Sequence, residues 1–143
     1  KITSILVNLE IPEETKKVAA EFAASLEGGE VIFLEGELGA GKTTFVQGVA
    51  GALGFDGPVR SPTFTLMNRY GVEAGAIREV LHLDLYRIED PSELTTLALE
   101  EELGGAESVS FIEWPMDKLP SGLWKTIRVK IEINGDSRVV TVA

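Results

Sequence analysis

The stretch Gly36-Glu-Leu-Gly-Ala-Gly-Lys-Thr43 matches the pattern G-x-x-x-x-G-K-[ST] at every fixed position. Its glycines lack a Cβ, so the backbone can turn tightly and bring several N–H groups onto a phosphate. In this pattern the lysine, Lys42, reaches the β and γ phosphates, and the hydroxyl of Thr43 binds Mg²⁺. We therefore predict a nucleotide-binding loop. The residues expected to contact the nucleotide here are Gly36, Leu38, Gly39, Ala40, Gly41, Lys42, Thr43 and Thr44.

The sequence on both sides of this stretch agrees with that interpretation. Before it, Glu30-Val-Ile-Phe-Leu-Glu35 contains a compact apolar run, which is typical of a buried strand. After it, apolar residues recur at helical spacing until Gly54, a residue type common just beyond a helix end. A strand, a loop and a helix in this order place unpaired N–H groups where an anion binds. An ordinary glycine-rich turn is the alternative, and the adjacent Lys-Thr pair disfavours it.

Length and composition limit the class of protein. A chain of 143 residues suits one domain with a hydrophobic core and is too short for two ordinary domains, so we predict a single domain over residues 1–143. Apolar residues make up 44% of the chain without forming a long continuous run, which predicts a soluble protein without a membrane span. The start shows no signal-peptide pattern, and the absence of cysteine is consistent with the cytoplasm.

The formal net charge of −10 constrains the partners. Non-specific binding to a nucleic-acid backbone is driven by Lys and Arg side chains that neutralise phosphates and release counterions. A chain with this surplus of carboxylates is therefore not expected to bind RNA tightly by itself, although a local basic patch could contact RNA within a complex.

The segment before the loop predicts a strand followed by a helix. Alternating apolar residues over 5–11 indicate the strand, and Pro12-Glu-Glu-Thr15 indicates a helix start with an acidic first turn. An apolar stripe continues to Leu26, and Gly28-Gly29 is expected to end the helix. Thr15 is a candidate contact to the bound base or ribose, and a plain helix-start residue is the alternative.

An antiparallel hairpin is predicted after the loop's helix. Its strands cover residues 64–70 and 80–87, joined by a loop at 71–76. The preceding segment carries Thr63 at the place where NTPases have a γ-phosphate-sensing switch, so Thr63 is a candidate catalytic residue. A turn hydroxyl that bonds to its own backbone is the alternative.

The remaining chain completes an α/β fold with a mixed, mostly parallel sheet flanked by helices and carrying antiparallel hairpins. A helix is predicted from Asp90 to about Leu103, with Asp as N-cap and Pro at the first turn. The short apolar strand over 108–112 ends at Glu113. A last hairpin, turning at Asn134-Gly135, is expected to finish the sheet and to hold no chemistry.

Two carboxylates are candidates for binding Mg²⁺ and for catalysis. Glu113 follows an apolar strand, and ligands gather at such strand ends in open α/β sheets. Asp84 lies between two leucines, where a carboxylate needs a partner; Mg²⁺ or its water shell is one possibility, and an ion pair with Arg87 or Arg60 is the other. The single histidine, His82, shares a strand face with Asp84; catalysis by it is possible, but a packed, hydrogen-bonded histidine is the commoner case.

Taken in order and at these separations, the motifs of this chain closely resemble those of the TsaE family of bacterial P-loop ATPases. The likeness spans nearly the whole chain. It is carried by the loop extended to Thr44, by Ser61-Pro-Thr-Phe-Thr-Leu66, by His82-Leu-Asp-Leu-Tyr-Arg87 and by Glu113-Trp-Pro115.

The resemblance implies a cytoplasmic protein with a modified P-loop NTPase fold and a Mg²⁺-dependent ATPase activity that is weak until partners complete the site. It implies TsaD and TsaB as those partners, in the machinery that installs threonylcarbamoyladenosine at position 37 of tRNA, with tRNA contacted only through the complex. The roles it implies are phosphate and Mg²⁺ binding by Lys42 and Thr43, a switch-like segment around Thr63, hydrolysis by Asp84, metal binding by Glu113, and nucleotide contact by Trp114.

Two other functions fit the same loop. A small-molecule kinase has a similar size, but it usually carries an arginine-rich lid, and no arginine cluster follows Glu113. A nucleotide-sensing adaptor would bind ATP with negligible turnover, and Asp84 and Glu113 argue against it only modestly.

Overall fold

A computed structural model describes residues 3–8, 12–37, 41–60, 67–85, 102–113 and 124–143 of the chain. Within these ranges the chain forms an α/β structure. Its elements in chain order are β1 (Thr3–Asn8), α1 (Pro12–Ala23), β2 (Glu30–Gly36), α2 (Lys42–Ala52), β3 (Met67–Ala74), β4 (Ile77–Asp84), β5 (Ser108–Glu113), β6 (Lys125–Asn134) and β7 (Ser137–Val142).

The strands form one seven-stranded sheet in the order β1-β7-β6-β2-β5-β4-β3. The four central strands, β6, β2, β5 and β4, run parallel to one another. The outer pairings of β3 with β4, β6 with β7, and β7 with β1 are antiparallel. The predicted mixed sheet with a parallel centre and antiparallel hairpins is therefore confirmed.

The two described helices pack on one face of the sheet, and the alternation of side chains along the strands creates a separate core on each face. The helix-side core contains Phe22 of α1, Phe45 of α2 and Phe111 of β5, and the ring centroid of Phe45 lies 5.6 Å from that of Phe22 and 6.3 Å from that of Phe111. The opposite core contains Phe33 and Ile112, which are paired across β2 and β5. The strand that leads into the loop is therefore buried on both faces.

Several predicted boundaries are wrong. Helix α1 ends at Ala23, before the predicted end at Gly28-Gly29; the chain then tightens, since the Leu26 N–H donates to the Ala23 carbonyl over 3.1 Å. Leu26 is still buried in the helix-side core. The apolar stripe therefore indicates which residues contact the core, and it continues past the end of the helix.

The predicted hairpin loop at 71–76 is too long. Strand β3 continues to Ala74 and the turn is made at Gly75, which has a positive φ of 61°, while Gly71 lies inside the strand beside an irregularity in the register. Strand β4 correspondingly runs from Ile77 to Asp84 and not over 80–87. The predicted helix from Asp90 lies almost entirely outside the described residues.

The last hairpin differs from the prediction in two respects. Its turn residues are Gly135 and Asp136, because Asn134 still pairs with Ser137 and the positive φ of 62° falls on Gly135. The hairpin also does more than finish an edge: β6 lies directly beside β2, and β7 and β1 continue the sheet outward.

Candidate active site

The connection between β2 and α2 ends in a left-handed glycine at the start of the helix. Gly41 adopts a left-handed conformation with φ 102° and ψ 22° and serves as the N-cap of α2. A residue with a Cβ is strained there, so glycine is required for the turn. The first bond of the helix runs from the Phe45 N–H to the Gly41 carbonyl over 3.0 Å. The first N–H groups of any α-helix have no acceptor within the helix, and such groups can bind an anion.

Lys42 lies at the start of α2 and is buried, with 7% of its surface exposed. Its Nζ donates a hydrogen bond to the Gly36 carbonyl over 2.8 Å and lies 3.4 Å from Oε1 of Glu113. The side chain therefore folds back across the loop, from the start of the helix to the end of the strand before the loop. Its ammonium group is held where the two ends of the loop and β5 meet.

Sheet register brings the two predicted carboxylates to adjacent strand ends. Glu113 ends β5 and pairs with Leu34 of β2 on one side and with Asp84 of β4 on the other. Residues paired in register point to the same face, so both carboxylates lie on the side of the sheet that carries α1 and α2. Glu113 is buried, whereas Asp84 is half-buried.

His82 adds a contact that was not predicted. Its side chain is fully buried, and its Nε2 lies 2.6 Å from Oε2 of Glu113. Burial raises the pKa of Glu113, but the hydrogen bond from His82 and the charge of Lys42 outweigh it, so the net pKa lies below the usual value. Glu113 is therefore held as a carboxylate between a histidine and a lysine.

The predicted Mg²⁺ ligands have donors that suit this ion. Mg²⁺ is usually bound through one or two carboxylates, substrate phosphates and several waters, and Thr43, Asp84 and Glu113 supply one hydroxyl and two carboxylates. Thr43 is half-buried in the first turn of α2, next to Lys42. Among the described residues no group of three or more His, Cys, Asp or Glu side chains could hold a metal by itself.

The other predicted site residues divide into two groups. Thr44 is half-buried in α2, and Thr15 is buried in the first turn of α1, which packs on α2. Thr63 and Trp114 lie outside the described residues, as do the central loop residues Leu38, Gly39 and Ala40. The structure thus brings together Gly36, Gly41, Lys42 and Glu113, with Asp84 in register beside Glu113.

A parallel central strand, a glycine-rich turn and a helix whose first lysine lies beside a strand-end carboxylate define a P-loop-type α/β protein. The profile of a family described as "Threonylcarbamoyl adenosine biosynthesis protein TsaE" matches residues 9–140. The chain therefore belongs to the TsaE family.

Individual relatives agree with this assignment. Proteins named "tRNA threonylcarbamoyladenosine biosynthesis protein TsaE" from Bacillus subtilis and Aquifex aeolicus are 46% and 54% identical to this chain over 103 and 86 residues, which cover 72% and 59% of it. The matched regions are 61% and 62% of those relatives' lengths, so the chain spans about three fifths of each.

A solved structure gives the same result for the fold. The crystal structure of Bacillus subtilis YdiB is similar to this chain with a TM-score of 0.73 and 32% sequence identity, over 99% of this chain and 86% of YdiB. The described part of the chain also contains no helix long and apolar enough to cross a membrane.

Proposed function

We propose that this chain is an ATP-binding and slowly ATP-hydrolysing accessory protein of the cytoplasmic machinery that forms threonylcarbamoyladenosine at position 37 of tRNA. The observation that carries the proposal is the meeting of Lys42, Gly36 and Glu113 at the glycine-rich turn, in a chain of a family described by that biosynthesis. TsaD and TsaB are the proposed partners, and tRNA is reached only through them.

Phosphate binding follows from the backbone and from Lys42. The N-terminus of α2 offers N–H groups and the positive end of the helix dipole to the phosphates. Lys42 has to leave Glu113 to reach the β and γ phosphates, and at 3.4 Å the contact is an ion pair that a phosphate can replace. Glu113 then loses its contact with the positive charge of Lys42. Mg²⁺ held by Thr43, Glu113 and Asp84 would replace that charge.

Hydrolysis requires charge neutralisation and a positioned water. Mg²⁺, if held by Thr43, Asp84 and Glu113, would supply positive charge that neutralises the charge developing on the phosphates. Asp84 lies in register beside Glu113, where its half-buried carboxylate can accept a hydrogen bond from the attacking water. Thr63, in the predicted switch segment, and Trp114 and Thr15, as predicted nucleotide contacts, complete the proposed set. Low activity of the chain alone is expected if TsaB and TsaD complete this arrangement.

Phosphate release from ATP tests the proposal. We expect slow release with the chain alone and faster release after addition of TsaB and TsaD, and we expect Lys42→Ala to abolish nucleotide binding or turnover. The matched control is Lys17→Ala, which removes an exposed lysine of α1 and should leave both unchanged. Asp84→Ala should keep ATP binding and lose hydrolysis.

Each other result contradicts part of the proposal. Unchanged ATPase activity in Lys42→Ala removes the site assignment, and loss of ATP binding in Asp84→Ala makes Asp84 a structural residue. Phosphorylation of a metabolite indicates a kinase, and ATP binding without phosphate release under any condition indicates an adaptor.

A further inference from the structure

His82 is the only histidine of the chain, and the proposed function does not use it. It lies on β4, on the face that carries Asp84, and its register partner on β5 is Phe111. Its side chain has no exposed surface, and its Nε2 lies 2.6 Å from Oε2 of Glu113. A charge-assisted hydrogen bond of this length between two buried groups is among the stronger contacts of a protein interior.

Packing alone does not explain a histidine at this position. Its Nδ1 is buried and has no hydrogen-bond partner among the described residues. Leaving a buried polar atom without a partner costs about 1–3 kcal/mol, whereas an apolar side chain of similar volume avoids that cost. The contact that offsets it is the hydrogen bond at Nε2. We therefore attribute the presence of a histidine at this position to its hydrogen bond with Glu113.

The two oxygens of Glu113 have different partners. Oε2 faces His82, while Oε1 faces Nζ of Lys42 at 3.4 Å. A glutamate side chain has several rotatable bonds, and a short directional contact at one oxygen fixes the position of the other. Oε1 is therefore held toward the start of α2, which is the side on which a nucleotide phosphate would lie.

We propose that His82 is a positioning residue which, through its Nε2–H, holds the Glu113 carboxylate in the orientation that presents Oε1 to the Mg²⁺–nucleotide site. This inference rests on the proposed function for the identity of the ligand. It assigns the histidine proton to Nε2 and leaves one carboxylate oxygen of Glu113 for the ligand.

The first test needs no nucleotide. Because the chain has one histidine, its ring nitrogens give a single set of signals in a ¹⁵N NMR spectrum of the protein in EDTA. We expect a proton on Nε2, with a resonance that moves in Glu113→Gln and stays in place in Ser110→Ala. Ser110 is a matched control: it is a polar residue on β5, like Glu113, and is as fully buried as His82. Its register partner on β2 is Val31, so its side chain lies on the opposite face of the sheet. A proton on Nδ1 alone, or a signal insensitive to Glu113→Gln, overturns the proposal.

The second test measures binding of ATP by calorimetry, with Mg²⁺ and with EDTA. Loss of a residue that orients a metal ligand typically lowers metal affinity or activity about 10–100-fold. We expect His82→Leu to weaken Mg²⁺–ATP binding by a factor in this range and to change binding in EDTA much less. His82→Gln keeps an N–H donor near the position of Nε2 and should recover most of the loss, whereas Ser110→Ala should bind like the wild type.

The outcomes separate the two proposals. Equal losses in His82→Gln and His82→Leu, or wild-type Mg²⁺–ATP binding in His82→Leu, overturn the positioning role while the site itself stands. If the wild type binds no ATP, the proposed function fails, and the NMR result still decides whether His82 holds Glu113. If His82→Leu does not fold, the NMR experiment, which uses the wild type and Glu113→Gln, decides whether His82 holds Glu113.

Discussion

Glu113 is subject to opposing influences on its charge, and their balance predicts how stability depends on pH. Burial raises its pKa, and His82 and Lys42 together lower it further than burial raises it. The folded-state pKa therefore lies below the ordinary value of 4.5. The carboxylate contributes stability above about pH 4.5, and this contribution is lost as the pH falls through the folded-state pKa.

Urea unfolding of the wild type and of Glu113→Gln in EDTA over a series of pH values measures this contribution. We expect the wild type to be the more stable protein at neutral pH and the difference to shrink as the pH falls below about 4.5. Other carboxylates titrate in both proteins, so the difference isolates Glu113. Replacement of the exposed Glu132 by Gln should change stability little. A difference that grows in acid would mean that burial dominates.

The placement of a single residue can be predicted from the sequence where it depends only on neighbouring residues in the chain. Lys42 and its loop are contiguous in sequence, and Glu113 is recognisable because it ends an apolar run. The bond between His82 and Glu113 joins residues 31 positions apart, so it depends on the register of β4 against β5. No periodicity in the sequence encodes that register, although the shared face of His82 and Asp84 was deducible from alternation alone.

The packing of α1 on α2 depends on one glycine. A Cβ at Gly48 would lie 2.7 Å from the Cβ of Ala19 and 3.2 Å from the Cα of Lys16, so the helices are close enough to exclude a methyl group. Gly51, one turn later on α2, is exposed and has no atom within 4 Å of such a Cβ. The same substitution at the two positions therefore tests how closely the helices approach.

We expect Gly48→Ala to destabilise the chain by about 1–3 kcal/mol through overpacking. Gly51→Ala should stabilise it by about 0.5–1 kcal/mol, because alanine restricts the unfolded chain and favours the helix. Urea denaturation at neutral pH measures both. Equal stability of the two variants would mean that α1 and α2 do not approach each other as closely as described.

Element types were more predictable than element ends. The strand and helix around the loop were found because periodicity and glycine signals coincide there. In the β3–β4 hairpin the predicted loop at 71–76 contains two glycines, Gly71 and Gly75, and the sequence pattern does not tell which of them makes the turn. The structure selects Gly75 because the turn needs a positive φ there, while Gly71 is accommodated inside a strand.

The charge of the whole molecule predicts how the chain meets tRNA. The net charge is −10, with 13 Lys and Arg side chains against 23 Asp and Glu side chains. Few RNA phosphates can therefore be neutralised by this chain, and few counterions released. We expect no retention of tRNA by the chain alone at about 0.15 M salt, at concentrations up to roughly 100 μM, the weak end of ordinary non-specific binding. Filter binding measures this, and retention should appear only when TsaB and TsaD are present. Tight binding by the isolated chain would contradict indirect recognition.

The order of the strands in the sheet was harder to predict from the sequence than the elements themselves. Alternation in β6 indicates that one of its faces is covered, since Val129 and Ile131 are buried while Arg128 and Lys130 are exposed. It does not tell which strands lie alongside. The sequence predicts that the last hairpin finishes the sheet, whereas β6 hydrogen-bonds to β2 along the whole of that strand and β1 lies beyond β7.

The position of β6 has a consequence during synthesis on the ribosome. Strand β2 is made early, but both of its neighbours, β5 and β6, are made late. A nascent chain therefore exposes an apolar segment with two open hydrogen-bonding edges, which is a target for chaperones and for aggregation. The proposed nucleotide-binding loop follows β2, and β2 gains β6 as a neighbour only after residues near 134 have been translated, so we expect ribosome-bound fragments that stop earlier not to bind nucleotide.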